Sequence, residues 1–369
     1  MKITNAKVLI GHDFVEGGIE FEEKIIACGA DVTGTGDLDA EGCYLIPGLL
    51  DMHTHAAMDE DASDGKPEGL VKMAAYYAAG GVTSWLPTTM TLKEPELTEA
   101  MKAVRNYVRP AGGAKIAGVN MEGPFVSYAK RGAQNPENLH APDIDMFHRL
   151  NEVSGHQVKV ITVAPEEPGC IDFIREASRV CTVSLGHTIT TYETAMQAYE
   201  AGASHTTHLY NAMPPLAHRA PGLIAAASDA GATVELIVDG FHIDPAVVRL
   251  TQRLFGDKLV LISDSGRCAG MPNGDYTLGG QPITLKDGKA CLKGTDTLAC
   301  SSVHLMEAVR RAVRFGIRLS DAVYAASTAP AKAIGADDIG ALIPSRCADF
   351  VILDPNLAVK AVYIDGKQI

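Results

Sequence analysis

Short apolar runs rich in β-branched residues alternate along the chain with longer segments whose apolar positions recur every three or four residues. That rhythm predicts strands alternating with helices, and a parallel sheet. Eight runs carry the strand pattern: LIPGLLDMHTH (45–55), VTSWLPTT (82–89), KIAGVNMEG (115–123), VKVITVAPE (158–166), CTVSLGH (181–187), SHTTHLYNAM (204–213), TVELIVDG (233–240) and KLVLISD (258–264). Between them PEGLVKMAAYYAAGG, PELTEAMKAVRNYV, CIDFIREASRV, TYETAMQAYEAGA and DPAVVRLTQRLF carry the helical pattern. Eight strand–helix repeats over roughly 300 residues are what a (β/α)8 barrel of the TIM type requires. A doubly wound open sheet is the rival, but neither G-x-G-x-x-G nor G-x-x-x-x-G-K-[ST] follows the first run. Outside the array, MKITNAKVLIGHDFVEGGIEFEEKIIACGA, ADFVILDPN and LAVKAVYIDGKQI alternate in the β manner. The expected architecture is therefore an α/β barrel over 47–343, with a small β-sandwich domain formed by both termini, 1–46 and 344–369.

Composition narrows the function. With 369 residues and 46% hydrophobic content the chain can bury a large core. Its net charge of −13, with no Lys/Arg run, argues against a nucleic-acid surface, so any anionic ligand must be gripped locally. The start, MKITNAKVLIGHDF, lacks a charged segment leading into a long apolar core, and no stretch approaches about 18 consecutive apolar residues. A cytoplasmic location without membrane attachment is expected. The eight cysteines form no C-x-x-C pair and are expected to be reduced and mostly buried.

The barrel assignment makes a chemical prediction, because catalytic groups in this fold gather at the C-terminal ends of the strands. Those ends carry His53 and His55, Glu122, His187, His208 and Asp264. A single H-x-H pair has no necessary meaning, but four imidazoles and two carboxylates on one rim are a metal-ligand set. Mixed nitrogen and oxygen ligands favour Zn²⁺, Fe²⁺ or Mn²⁺ over Ca²⁺ or Mg²⁺ without choosing among the three. His205 and His208 lie three apart, so on a regular strand they face opposite ways; His208 is assigned to the site. His242 lies on a loop of the functional face, whereas His12, His140, His148, His156, His205, His218 and His304 are expected at surface or structural positions.

PGLLDMHTH, the terminal β-segments and ADFVILDP resemble the amidohydrolase superfamily of metal-dependent hydrolases. More specifically, MEGPFVSYAKRGAQNP (121–136), SLGHT (184–188), THLYNAMPPLAHRAPG (207–222), DGFHID (239–244) and ISDSGRCAGMPNGDYTLGG (262–280) resemble the N-acetylglucosamine-6-phosphate deacetylases, in the same order over nearly the whole chain. The resemblance implies hydrolysis of an acetyl amide on a phosphorylated amino sugar. Glu122, His187 and His208 would bind the divalent ion that activates water, and His53 and His55 could hold a second, giving one or two ions per subunit. Asp264 would be general base and then general acid. The resemblance also places the phosphate on Arg219 and His242, with Asn211 and the backbone N–H of Ala212 adding hydrogen bonds, and implies a homodimer in which Arg219 completes the neighbouring site.

One position departs from part of the family, where the loop after M-E-G-P-F reads K-G-x-H: here KRGAQ puts Gln134 in the place of the histidine, as a substrate contact. We expect Gln134 and the H-x-H to go together in a two-ion variant. Lys130 and Arg131 nearby could line the phosphate end or be solvated charges. Other amidohydrolases use a bridging lysine on the fourth strand, but that run carries Lys159 near its start and Glu166 at its end, leaving Glu122 as the bridge. The galactosamine epimer, another small amide, and a catalytically idle scaffold are the competing readings. The last predicts gaps in the ligand set, and no position is missing. Sequence gives no reason for Cys268 and Cys300 to flank the site region.

Overall fold

The computed structural model describes residues 1–369. Eight parallel strands, Leu49–Thr54, Val82–Thr89, Val119–Glu122, Val158–Val163, Thr182–Leu185, His205–Thr206, Thr233–Ile237 and Leu259–Ile262, follow one another around a nearly closed barrel. All eight residues of the second strand are buried, as expected where helices cover one face and the barrel interior the other. The seam between last and first strands is drawn together by specific groups rather than a regular ladder. The N–H of Asp264 donates to the carbonyl of His53 at 3.0 Å, and the N–H of Ser263 donates to the Asp51 carboxylate at 3.2 Å.

The five anticipated helices are present as Pro67–Ala79, Glu94–Arg105, Cys170–Ala177, Tyr192–Glu200 and Pro245–Phe255. Local chemistry sets their starts: the Thr191 side chain accepts from Thr194 N–H, and Asp244 accepts from Ala246 N–H with Pro245 in the first turn. Further helices at Ile144–Val153, Gly222–Asp229, Leu305–Arg314, Leu319–Ala326 and Thr328–Ala333 complete the outer layer. An unanticipated addition follows the eighth barrel strand. Gly274–Leu278, Gln281–Lys286, Lys289–Leu292 and Leu298–Cys300 form a four-stranded antiparallel flap.

The run at 45–55 is two strands. Tyr44–Pro47 pairs antiparallel with Phe350–Leu353 in the terminal sheet, and Leu49–Thr54 begins the barrel. Gly48 is the crossing point, where a Cβ would lie 2.1 Å from Thr83 Oγ1, so only glycine allows this approach. The terminal strands make one eight-stranded sheet drawn from both chain ends. It curls over its own apolar core: Phe21 meets both Phe350 and Tyr363 edge-on, at 4.9 and 5.5 Å between ring centroids, although they belong to well-separated strands. All eight cysteines are free; Cys43, Cys170, Cys268 and Cys300 are buried and the others partly so. No helix is long and apolar enough to cross a membrane.

Candidate active site

The six rim residues named from the sequence converge, all buried, as two triads: His53, His55 and Asp264, and Glu122, His187 and His208. Glu122 stands between them. Its Oε1 lies 3.2 Å from His187 Nε2 and 2.9 Å from His208 Nε2, while its Oε2 lies 3.3 Å from His55 Nε2. Asp264 Oδ1 lies 3.3 Å from His55 Nε2 and 3.6 Å from His53 Nε2. Three of the six have left-handed backbone, His187 at φ 46°, His208 at φ 26° and Asp264 at φ 49°, which turns their side chains inward just past the strand ends.

Hydrogen bonds behind the imidazoles decide which nitrogen faces the centre. Nδ1 of His53 donates to Glu235 at 2.8 Å, Nδ1 of His55 to the carbonyl of Thr88 at 3.1 Å, and Nδ1 of His187 to the carbonyl of Lys130 at 2.9 Å. Each leaves Nε2 as the inward nitrogen. Those inward nitrogens crowd one another: His187 and His208 Nε2 are 3.1 Å apart, His53 and His55 Nε2 3.3 Å. Lone pairs that close repel unless protons or a cation lie between them, so the donor set fits a divalent ion in each triad. The charges agree. Burial alone would depress His53, but the carboxylates of Glu235 and Glu122 outweigh it and raise its pKa to about 9. His55 is likewise raised against burial by Asp264 and Glu122. Burial pushes Glu122 and Asp264 up, yet the neighbouring imidazoles hold both below the usual carboxylate range. The carboxylates thus favour positive charge on the groups between them.

Above the triads is a cavity of about 280 Å³, lined by Lys130, Gln134, Asn211, Ala212, His242 and the reactive groups, and roofed by Leu278 and Leu298 of the flap. A larger hollow of about 480 Å³ between Asp61, Glu96 and Arg267 contains none of the six residues. His242 is held by Asp239, whose carboxylate accepts from His242 Nδ1 at 2.7 Å and from the backbone N–H of Phe241 and His242, so Nε2 is the free nitrogen. Ala212, at φ 51°, has no backbone partner for its N–H. Arg219 does not line its own chain's cavity; with His218 it occupies the exposed tip of a tight turn closed by hydrogen bonds between Ala217 and Ala220.

Gln134 lines the cavity, and its amide also braces its neighbours. Its Oε1 accepts from Thr91 N–H at 2.7 Å and its Nε2 donates to Glu122 Oε2 at 2.5 Å. The parity argument for the sixth strand also needs revision. That strand ends at Thr206, so alternation does not extend to His208, and His205 is buried directly beneath the centre. Glu166 accepts from Ile189 N–H and Thr188, away from the triads. Sequence reasoning missed Glu235 and Asp239, both buried carboxylates within TVELIVDG. A charged residue inside an apolar buried-strand pattern was the available signal.

A family model described as "Amidohydrolase family" matches residues 44–369. An N-acetylgalactosamine-6-phosphate deacetylase of Escherichia coli O157:H7 is 36% identical over 334 residues, covering 89% of this chain and 88% of its own. An N-acetylglucosamine-6-phosphate deacetylase of Lysinibacillus sphaericus is 35% identical over 339 residues, 90% of this chain and 87% of its own. Among solved structures, a mutant N-acetyl-D-glucosamine-6-phosphate deacetylase of Mycobacterium smegmatis, in complex with N-acetyl-D-glucosamine-6-phosphate, superposes with a TM-score of 0.95 at 31% identity, over 100% of this chain and 98% of that one. The chain belongs to the amidohydrolase family.

Proposed function

We propose that the protein hydrolyses the acetyl amide of N-acetylglucosamine 6-phosphate, giving glucosamine 6-phosphate and acetate. The observation that carries this reading is the paired triads sharing Glu122 at the floor of a cavity that His242, Asn211 and Ala212 line with polar groups. The similar proteins are deacetylases of that substrate class. His53, His55 and Asp264 would hold one divalent ion, and Glu122, His187 and His208 the other, with Glu122 between them; zinc suits this donor set best. Ions held there would lower the pKa of water and polarise the amide carbonyl.

The chain's own groups do the rest. Asp264, ionised at neutral pH and facing the cavity, takes the proton of the attacking water and returns it to the amide nitrogen as the C–N bond breaks. Asp239 aims the Nε2 of His242 at the cavity, where it would meet the phosphate beside Asn211 and the N–H of Ala212. Arg219 would reach the phosphate of a neighbouring subunit in a homodimer, a reading supported by its exposed turn and its distance from its own cavity lining. We place the enzyme in the cytoplasm, with no nucleic-acid or membrane partner.

The galactosamine epimer is the second reading, favoured by the 36% identity to a deacetylase of that sugar phosphate. The test is acetate release by metal-loaded protein from the 6-phosphates of N-acetylglucosamine and N-acetylgalactosamine, with unphosphorylated N-acetylglucosamine alongside. Fast release from the first alone is expected. Preference for the second changes the epimer, and release from none with metal bound overturns the substrate class.

A further inference from the structure

The carboxylate of Glu235 lies in the seventh barrel strand with no solvent exposure, beneath the centre rather than in it. A buried carboxylate costs several kcal/mol unless its partners require it. Glu235 has two hydrogen-bonded partners, both in the ligand set, and a third imidazole close by. Its Oε2 accepts from His53 Nδ1 at 2.8 Å and from the backbone N–H of His208 at 3.0 Å; its Oε1 lies 3.1 Å from His205 Nε2.

The two triads differ in what stands behind them. In the Glu122 triad, His187 is backed by the neutral carbonyl of Lys130, and His208 Nδ1 has no partner. In the other, His55 is backed by the carbonyl of Thr88 but His53 by a full negative charge. Two divalent ions bring four positive charges, and the ligand set supplies two carboxylates, Glu122 and Asp264. Glu235 adds a third, on the side of the triad that has two imidazoles from one strand.

We infer that Glu235 is a positioning residue that makes the His53–His55–Asp264 triad an ion site in its own right, by fixing the His53 tautomer and placing a compensating charge behind it. Whether this centre takes one ion or two is then decided one layer below the ligands. The inference rests on the two-ion reading above.

The test is metal content, not turnover. Wild type and Glu235→Gln are equilibrated with zinc at chelator-buffered free concentrations, and the ions per subunit counted by mass spectrometry. The glutamine keeps an acceptor for His53 and His208 while removing the charge. Wild type is expected to hold two ions and Glu235→Gln one, the weaker ion losing about 10- to 100-fold in affinity and returning at excess zinc. Wild type holding a single ion would overturn the two-ion reading and this inference with it. Two ions of unchanged affinity in Glu235→Gln would overturn the inference alone, and so would parallel loss of both ions. Thermal melts of the metal-free proteins report folding independently. In a His53→Asn background, Glu235→Gln is expected to change nothing further; additional loss of the remaining ion would show that Glu235 does not act through His53.

Discussion

Asp264 and Gln134 line the same cavity yet should fail in different ways. Asp264→Asn removes the proton acceptor and a carboxylate proposed to hold an ion, so kcat is expected to fall about 10²- to 10⁴-fold; steady-state acetate release at metal content matched to wild type checks this, and a loss under tenfold would move the general base elsewhere. Gln134, read from the sequence as a substrate contact, lines the cavity, and its amide also holds Glu122 and the N–H of Thr91. Gln134→Ala should therefore lower kcat and metal content, about 10- to 100-fold in activity, and not raise KM alone. A pure KM effect would leave Gln134 with the substrate role alone. The six ligand-type residues were legible because a barrel exposes its strand ends on one rim, so residue type and position together identify them. Glu235 and Asp239 were not, because their partners, His53 and His242, become neighbours only through folding or a tight loop, and a single carboxylate in an apolar run does not announce a partner 182 residues away.

At the scale of elements, strand and helix positions were readable but strand ends were not. SHTTHLYNAM contributes only His205–Thr206 to the barrel, since His208, Tyr210 and Ala212 all take positive φ and leave the ladder. The flap went unseen because its alternation is weak and its strands are short and half-exposed. The helix Leu305–Arg314, also unanticipated, starts at a residue that titrates. His304 caps it through Nδ1, which accepts from Met306 N–H at 3.3 Å, while Nε2 donates to the carbonyl of Tyr77 at 3.1 Å. Gly80 leaves room for this ring, since a Cβ there would lie 2.1 Å from it. Burial lowers the His304 pKa from 6.5 to about 4. The unfolded chain therefore takes up the proton first as pH falls, so the contribution is complete above the free value and is lost between there and the folded one. Between about pH 7 and about pH 5 this should cost about 2 kcal/mol of stability. Urea unfolding at the two pH values checks it, and His304→Asn, which keeps a cap acceptor without the proton, should flatten the difference.

The whole molecule is held together by charges as well as by its cores. Lys115, beside the second barrel strand, reaches Asp349 at 2.8 Å and Asp365 at 2.5 Å, which flank strands of the terminal sheet, and Arg109 also meets Asp365 at 2.8 Å. Lys115→Met leaves the buried Asp349 without its cation and is expected to cost about 2–4 kcal/mol in unfolding, with the isolated site chemistry intact. Assembly poses the larger question, because the negative chain must still hold a phosphate and Arg219 is exposed and does not line its own cavity. If Arg219 serves the neighbour, Arg219→Ala and Asp264→Asn each disable every site in their own homodimers, the first through the phosphate and the second through the proton. A hybrid dimer differs: the subunit carrying Arg219→Ala retains Asp264 and receives the intact Arg219 of its partner. Mixing the two inactive proteins under conditions that allow subunit exchange should therefore restore about a quarter of wild-type turnover, since half the dimers are hybrids with one good site each. Recovery that rises with exchange time would establish a shared site. Its absence, with hybrids demonstrated by mass, would place Arg219 outside the phosphate pocket and leave His242, Asn211 and Ala212 to bind the anion within one chain.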